Sequence, residues 1–385
     1  MTRWGMRAGR LFDGDRFVEL PTLLVEQDSI VAVGESLPET VDVVDLGSAT
    51  VLPGLVDCHQ HLVFDGRGTL EEQVANRSDA ELAERARHNA RRALRGGVTA
   101  LRDLGDRSFL TLELRDDPDL SRVMAAGPPV TPPGGHCYYL GGETVGGPEL
   151  LRAVRERAER GADLVKLMVT GGAGTPTHPL WDLQYTPDEI RSVVDEAHRL
   201  GLPVAAHCHG VVGIDAAADA GVDSIEHCSF FDATMKSVPT PELLSRLAGK
   251  GIAISATLGY TGPPPYTPAW MAAVPIMRAA FADIHREGGV VVVGTDAGIN
   301  LGKPHDVLPY AHQILLDDVG MAPVDALRSM TSVAAEVCGR PELGRLRVGS
   351  PADIVAVADD PTASSTALIE PLAVWKDGRS VRDDR

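Results

Sequence analysis

Two histidines placed two residues apart are the first residues in this sequence that could do chemistry. His59 and His61 lie in residues 51–62, VLPGLVDCHQHL, after a short apolar run. Side chains two residues apart on a β-strand face the same way, so both imidazoles are predicted on one face. Two buried imidazoles need a partner, and imidazole is a favoured zinc ligand. The pattern alone fits two histidines in a surface turn equally well.

Four further polar side chains lie within or near the ends of apolar, strand-like runs. Lys166 lies in DLVKLMV, His207 in PVAAHCHG, His227 in VDSIEHC and Asp296 in VVVVGTDAG. A buried ammonium group needs a partner or a lowered pKa, so Lys166 is the least expected of these residues. With His59 and His61 these make six residues on five such strands, a placement that is improbable by chance, and together they predict a metal centre.

Strand-like runs alternate with helical patterns through the middle of the chain. This alternation predicts an α/β protein with a parallel sheet, and eight βα units fit a (β/α)8 TIM barrel, which takes about 250 residues. Active sites of such barrels lie at the C-terminal ends of the strands, where the candidate ligands fall. TPDE at 186–189 predicts a helix start, with Thr186 as the cap and Pro187 in first position. The predicted strands are 55–60, 98–103, 121–126, 163–169, 203–207, 222–227, 251–257 and 289–295.

The two ends of the chain contain short strand-like segments without an obvious chemical motif. Such strands cannot form a core alone, so they need a partner sheet. We therefore expect a small composite β-sandwich from residues 1–54 plus 346–385, next to a barrel of residues 55–345. The Gly- and Pro-rich segments 130–145 and 259–268 are long for loops of a barrel and are candidate substrate loops. The strand-like segments are 4–8, 22–27, 30–34, 41–46, 353–357 and 372–376.

Composition limits the classes of partner. A net charge of −18 over 385 residues argues against nucleic acid and anionic membrane surfaces. The five cysteines include no CxxC pair, so neither a disulfide framework nor a thiolate zinc site is predicted. The first residues lack the apolar region of a signal peptide, and no run reaches the ~18 apolar residues of a membrane helix. These features predict a cytoplasmic protein.

Three further residues are candidates for contacts with a substrate. His136 lies in the Gly-rich GGHCYY segment, His209 shares the predicted strand face of His207, and Tyr260 follows the seventh predicted strand. His136 could bind a substrate carboxylate or the oxygen of a tetrahedral intermediate, although an ordinary loop histidine is the alternative. His209 could instead support a neighbouring ligand.

Other polar residues near the candidate ligands are predicted to have structural roles. Arg102 and Asp103 end the second strand and are predicted to form an internal ion pair or to support the ligands. Glu226 is predicted to face away from the site because strand faces alternate. Six histidines in loop or helix contexts are predicted to be solvated: His88, His178, His198, His285, His305 and His312.

Taken together, these motifs resemble the amidohydrolase superfamily of metal-dependent hydrolases. The resemblance covers essentially the whole chain and includes VLPGLVDCHQH, the late GTDAG, and the tail GRLRVGSPADIVAV. It implies two divalent metal ions, zinc foremost, bridged by a lysine that CO₂ has carboxylated. The residues it implies are His59, His61 and Asp296 for the more buried metal, His207 and His227 for the second metal, and Lys166 for the bridge.

Within that superfamily the sequence is similar to the imidazolonepropionase-like branch, which includes prolidase-type Xaa-Pro dipeptidases. The similarity rests on VKLMVTGG, VVDEAHRLGLPVAAHCHG, VDSIEHC and GGH at 134–136. Ring-opening imidazolonepropionases carry a catalytic Glu shortly after the strand-5 histidine, and HCHG at 207–210 has none. This departure weakens an imidazolone substrate. A bridging lysine is not expected in the single-metal deaminases of the superfamily.

The resemblance implies a hydrolase of a small-molecule amide. Two metals lower the pKa of a bridging water, and Asp296 would carry the proton from the attacking hydroxide to the leaving nitrogen. A dipeptide or an N-acyl amino acid is the implied substrate, with a cyclic amide or a specialised natural-product or xenobiotic carboxamide as the alternative. A non-catalytic scaffold is disfavoured because all the metal ligands are present. The acyl and amine parts of the substrate, the native metal and the oligomeric state stay open, although barrels of this family are often homo-oligomers.

Overall fold

Strands and helices alternate through the middle of the chain, and strands dominate its two ends. The structure is a computed structural model that describes residues 3–115, 117–175, 177–265 and 267–384. No helix within those ranges is long and apolar enough to cross a bilayer. The strands are β1 (Arg3–Arg7), β2 (Arg10–Leu11), β3 (Thr22–Glu26), β4 (Ser29–Val33), β5 (Asp42–Asp45), β6 (Thr50–Pro53), β7 (Leu55–Gln60), β8 (Val98–Asp103), β9 (Arg122–Ala125), β10 (Val165–Met168), β11 (Val204–Gly210), β12 (Ser224–Phe231), β13 (Ala253–Thr257), β14 (Val291–Gly294), β15 (Ile354–Val357), β16 (Ala373–Lys376) and β17 (Arg379–Asp383).

Local sequence explains where several helices begin. Thr186 and Glu189 form a reciprocal capping box at the start of one helix, with Pro187 in the first turn, which confirms the predicted helix start. Ser78 and Glu81 form a second reciprocal capping box at the start of the helix Asp79–Arg95. The helices are α1 (Glu72–Ala75), α2 (Asp79–Arg95), α3 (Pro148–Glu159), α4 (Pro187–Arg199), α5 (Val211–Ala220), α6 (Pro241–Gly249), α7 (Pro268–Arg286), α8 (Pro309–Ile314), α9 (Pro323–Ser329) and α10 (Ser332–Val337).

Two parallel sheets carry the strands that the sequence predicts for the middle of the chain. Their strand orders are β7-β8-β9 and β10-β11-β12-β13-β14. Each predicted strand overlaps one of these, with ends shifted by a few residues. Isolated parallel bridges join Val130 to Leu167 and Gln60 to Ala297, next to the edges of the two sheets. The predicted mixed α/β architecture with parallel strands is confirmed.

The two ends of the chain meet in a further pair of sheets. Their orders are β4-β3-β1-β5 and β17-β16-β15-β6-β2, and the antiparallel pairing of β6 with β15 joins the N-terminal to the C-terminal segment. Side chains from both sheets share one hydrophobic cluster, in which the rings of Trp4 and Trp375 lie 6.1 Å apart. The sequence does not predict β2, β6 or β17. The last of these, RSVRD, is polar and partly exposed, so it lacks the apolar signal of a strand.

A single glycine connects the sheet of the chain ends to the parallel strands. Gly54 separates β6 from β7. A Cβ atom at this position would lie 1.9 Å from Oγ1 of Thr99, so no other residue fits without displacing β8. The chain therefore enters β7, the strand that carries His59, directly from β6.

Candidate metal centre

The C-terminal ends of the parallel strands surround a cavity of about 290 Å³. Every residue that the sequence singles out as a metal ligand or a substrate contact lines this cavity. They are His59, His61, Lys166, His207, His227 and Asp296 among the predicted ligands, and His136, His209 and Tyr260 among the predicted substrate contacts.

His59, His61 and Asp296 form the first group of potential ligands. Nε2 of His59 lies 3.3 Å from Nε2 of His61, and Oδ1 of Asp296 lies 3.5 Å and 3.4 Å from these two nitrogens. A tetrahedral ion with ligand bonds of about 2.0–2.1 Å separates its ligand atoms by about 3.3–3.4 Å. The three atoms therefore already have the spacing that one zinc-sized ion requires.

His207, His209 and His227 form the second group, with one ring nitrogen from each within 4.8 Å of the others. The sequence assigns two of these histidines to a metal and His209 to the substrate. The ring of His209 stacks on that of His227, with centroids 4.5 Å apart. Nδ1 of His209 contacts Oγ of Ser229 at 2.9 Å, which leaves Nε2 available. The structure thus offers three imidazoles at this position.

Lys166 on β10 is the most unusual residue of the cavity. Its side chain is buried, and its Nζ atom has no hydrogen-bond partner among the described residues. Burial lowers the pKa of the Lys166 amine. A buried amine without a partner is costly, and carboxylation followed by metal binding would supply the missing interactions. The orphaned nitrogen therefore fits a metal-bridging role.

The protonation states of the site suit metal binding. Burial lowers the pKa of His59 to about 4 and that of His209 to about 4. These imidazoles are neutral at pH 7, as metal coordination requires. Burial alone would raise the pKa of Asp296, but the rings of His59 and His61 hold it below its ordinary value. The site therefore combines neutral nitrogen donors with an anionic oxygen donor.

Glu226 supports the first group from behind, and the prediction that it faces away from the site is wrong. Its Oε2 accepts a hydrogen bond from Nδ1 of His59 at 2.9 Å. Its Oε1 accepts from Arg102 at 2.8 Å and from Ser224 at 2.7 Å. A carboxylate that accepts from the outer nitrogen of a histidine directs the other nitrogen towards a metal.

The backbone in the middle of β12 explains why the strand alternation fails at His227. His227 has φ 67° and Cys228 has φ 49°, both in the left-handed region that L-residues rarely adopt. Glu226 shares the strand face of Ser224, and the left-handed turn that follows brings the next side chain, His227, to the same side. The His59 and His227 rings lie 5.1 Å apart. Strained backbone of this kind is concentrated at functional sites.

Arg102 and Asp103 do not pair with each other. Arg102 binds Glu226 instead, and Asp103 accepts hydrogen bonds from the backbone nitrogens of Leu62 at 2.7 Å and Gly105 at 3.2 Å. Both residues are buried. They hold the backbone around His59 and His61 in place. Their contacts therefore favour support of the candidate ligands over an internal ion pair.

Asp57 ties β7 to the end of β14. Its carboxylate accepts hydrogen bonds from the backbone nitrogens of His59 at 3.1 Å and Thr295 at 2.9 Å, and from the Thr295 hydroxyl at 2.7 Å. Gln60 donates a fourth bond at 2.7 Å. Because Thr295 precedes Asp296, this carboxylate fixes the relative position of the first ligand pair and the last ligand.

The predicted substrate contacts lie on different sides of the cavity. The ring of His136 lies 4.4 Å from that of His207, and its Nδ1 contacts Oγ1 of Thr175 at 3.0 Å. Tyr260 lies beyond β13, where its ring contacts the Lys303 ammonium at 4.4 Å. Both are therefore placed where a bound molecule would touch them.

The predicted exposure of the loop and helix histidines is partly wrong. His305 is buried and its ring contacts Oε1 of Gln60 at 3.0 Å and O of Phe64 at 3.1 Å. His312 is buried against the backbone of Ser365. The local sequence carries no sign of these long-range contacts. His88 and His198 are exposed as predicted, whereas His178 and His285 are half-buried.

Lys303 is a cavity residue that the sequence does not single out. Only 2% of its surface is exposed, and its Nζ atom donates to the backbone oxygens of Thr295 and Thr257. Burial lowers the pKa of Lys303 to about 8. The residue lies in a loop after β14, in GINLGK, where no periodic pattern or motif marks it.

Replacing Glu226 with Gln is expected to lower the metal affinity of the site about 10- to 100-fold, as removal of a carboxylate behind a metal-bound histidine typically does. Competition with a chelator, followed by metal analysis of the protein, measures this change. Glu242→Gln, at an exposed position on α6, is the matched control. An affinity equal to that of the control would contradict the supporting role of Glu226.

Comparisons with known proteins agree on one family. The model of the amidohydrolase family matches residues 50–382. The chain is 27% identical to ochratoxinase from Aspergillus niger, over 97% of this chain and 85% of that protein. It is 26% identical to an imidazolonepropionase from Streptomyces griseus subsp. griseus, over 93% of this chain and 92% of that protein. A crystal structure of a Xaa-Pro dipeptidase with methionine bound in its active site superposes with a TM-score of 0.83 at 26% identity, covering 98% of this chain and 99% of that one.

Proposed function

Since the chain belongs to the amidohydrolase family, and is thereby a hydrolase of C–N amide bonds, we propose that it is a binuclear metal enzyme that cleaves a dipeptide or an N-acyl amino acid. The observation that carries the proposal is the buried Lys166 amine, which lacks a hydrogen-bond partner in a cavity shared with two groups of potential ligands. The predicted prolidase-like branch agrees with the dipeptidase and imidazolonepropionase relatives.

The donor set suits two divalent ions, with zinc as the first candidate. His59, His61 and Asp296 would hold the more buried ion, and His207 and His227 the second. Reaction of the Lys166 amine with CO₂ forms an N–C bond and releases one proton, which yields a carboxylate able to bridge both ions. When bound, such ions supply hydroxide at neutral pH and polarise the scissile carbonyl.

Asp296 is the proposed proton carrier. Its carboxylate is anionic, it faces the cavity, and it lies between the ligand atoms of His59 and His61. It can accept a proton from the attacking water and deliver that proton to the leaving nitrogen as the C–N bond breaks. The left-handed backbone at Asp296, φ 58°, supports this role because strain of this kind is retained where geometry matters.

The cavity lining supports a small substrate with an apolar group. Five apolar side chains that line the cavity belong to one hydrophobic cluster: Phe64, Leu70, Cys137, Met168 and Ile299. Trp270 lies near His209, with ring centroids 5.4 Å apart. An apolar amino-acid side chain or acyl group would find contacts there, while His136, His209 and Tyr260 would contact its polar parts.

The alternative substrate is a cyclic amide or a specialised natural-product or xenobiotic carboxamide. The observation that favours it is the 27% identity to ochratoxinase over 97% of this chain. The bond cleaved and the residues involved would be the same, so the two candidates differ only in which groups flank the amide.

The architecture we propose for this enzyme is a closed (β/α)8 barrel of residues 55–345 with a β-sandwich of residues 1–54 and 346–385. The isolated bridges between Val130 and Leu167 and between Gln60 and Ala297 support closure, since they link the edges of the two parallel sheets. The hydrophobic cluster common to the two terminal sheets supports the sandwich.

A substrate screen on zinc- and bicarbonate-supplemented protein tests the proposed function. Dipeptides, including Xaa-Pro, and N-acyl amino acids are assayed beside lactams and aromatic carboxamides. We expect kcat/KM for the best dipeptide or N-acyl amino acid to exceed that for every lactam at least ~100-fold. The reason is that the apolar side chains of the cavity would contact one end of a linear amide while the polar residues would contact the other. Preferential turnover of the lactams or specialised carboxamides would favour the alternative instead.

A further inference from the structure

Lys303 is a buried cation that makes no ion pair at contact distance with any residue the structure describes. Among the described residues, lysine ion pairs join Lys250 to Asp219 and Lys376 to Asp377, and Lys303 forms none. Its nearest partners are two backbone oxygens, which carry only partial charges. Lysine is rarely buried without a paired charge, because desolvation of an ammonium group is costly.

The two carboxylates whose charges act on Lys303, those of Asp57 and Asp296, already contact other groups. Asp57 accepts four hydrogen bonds from His59, Gln60 and Thr295. Asp296 lies against His59 and His61. Neither carboxylate lies within ion-pair distance of the Lys303 ammonium.

Lys303 makes two hydrogen bonds within the part of the chain that the structure describes, which leaves one N–H donor. A lysine ammonium has three N–H donors. Two of them serve the backbone oxygens of Thr257 and Thr295, and the nitrogen lies 4.4 Å from the centre of the Tyr260 ring. Lys303 lines the same cavity as the candidate metal ligands. A positive charge with a spare donor therefore borders the space in which a substrate would bind.

We propose that Lys303 binds a free carboxylate of the substrate and makes the enzyme selective for N-acyl amino acids and dipeptides over neutral amides. This inference rests on the proposed function and names the substrate group that the site recognises. An ammonium–carboxylate hydrogen bond is charge-assisted and gains strength in a buried cavity. The carboxylate would complete the ion pair that Lys303 lacks in the free protein.

This placement also orients the substrate. Lys303, Tyr260 and Asn300 line the cavity from the segments that follow β13 and β14. With its carboxylate on Lys303, an amino-acid product would lie beside Asp296, and its amine would be the leaving nitrogen. The acyl part would then extend towards the apolar side chains of the cavity.

The test compares an acid with its neutral analogue on the same enzyme. The best N-acetyl amino acid from the screen and its C-terminal carboxamide are assayed with wild-type protein, Lys303→Met and the control Lys236→Met, an exposed lysine. We expect the wild type and the control to prefer the acid at least ~30-fold in kcat/KM, as expected for a charge-assisted hydrogen bond. In Lys303→Met the preference is expected to fall below ~3-fold, mainly through KM for the acid, with metal content unchanged.

Other outcomes separate the possibilities. Equal losses on acid and carboxamide would assign Lys303 to support of the Thr257 and Thr295 backbone and overturn the proposal. A wild type that cleaves both substrates equally would also overturn it while leaving the amidohydrolase function intact. Absence of turnover of any linear amide would instead refute the proposed function. If the methionine variant does not fold, Lys303→Gln, which can still donate to both backbone oxygens, gives the same comparison.

Discussion

Asp296→Asn is expected to lower kcat about 10³-fold while the protein stays folded, since general acid–base catalysis contributes about 10²–10⁴-fold. An asparagine oxygen can still occupy the position of Oδ1 of Asp296. That oxygen lies 3.5 Å from Nε2 of His59 and 3.4 Å from Nε2 of His61. The asparagine side chain cannot accept and release a proton at neutral pH. Steady-state kinetics at saturating substrate, with metal analysis of the same sample, measures the effect.

The control for this variant is Asp42→Asn on the exposed strand β5. Its kcat is expected to equal that of the wild type. If Asp296→Asn retained its metals and kept kcat within about threefold of the wild type, the proton would have to travel through another group. If the variant lost its metals, the comparison would be repeated at raised zinc concentration, where restored metal without restored kcat still supports the proton role.

Lys166→Ala is expected to reduce the metal content from about two equivalents per chain to one or fewer and to reduce kcat/KM more than about 10³-fold, because two-metal chemistry needs both ions. The physical reason is the loss of the Lys166 side chain, which we propose as the bridge between the two groups of ligands. Elemental analysis of protein expressed with zinc and bicarbonate measures the first quantity. Added acetate or propionate is expected to restore part of the activity by placing a carboxylate in the vacated space.

Lys166→Met separates the loss of the bridge from the loss of packing, since it keeps an unbranched chain in the buried position. It is expected to lose the second metal as the alanine variant does, whereas Lys236→Met on the surface retains both. One equivalent of metal in the wild type, unchanged by either substitution of Lys166, would contradict the bridged site. Single-metal deaminase or ring-opening chemistry would then be the hypothesis to test.

The parallel strands were predictable because short runs rich in apolar residues alternate with helical patterns along the chain. The predicted ranges 55–60 and 98–103 coincide with β7 and β8, whose residues are all buried. Short terminal strands were harder, since β2 has two residues and becomes a strand only by pairing with β6. Pairing of this kind depends on residues far apart in the chain, so local sequence carries little trace of it.

The candidate ligands that line the cavity were also predictable. They lie near the C-terminal ends of parallel strands, and these ends converge whatever the conformation of the loops. What could not be read was the direction of side chains where the backbone leaves regular geometry. Glu226 and His227 contact the same histidine, His59, because the chain turns left-handed at His227 and Cys228, so His227 lies on the side that regular alternation gives to Glu226 alone. Lys303 and His305 lie in a loop, and their burial depends on β7 and β13 packing around them. Loop conformation is a tertiary property, and a single sequence leaves it undetermined.

The joining of the two chain ends sets the order in which this protein can assemble during synthesis. Strand β6, which leads into the strand of His59, pairs with β15, and the bond between Asp57 and Thr295 spans 238 residues. At synthesis rates of about 5–20 residues per second, that span takes about 12–48 s to produce. During this interval His59 and His61 lack Asp296, the last of the candidate ligands in the chain. A nascent chain therefore cannot complete the candidate metal site before Asp296 has been made, and products truncated ahead of that residue are expected to lack a complete site.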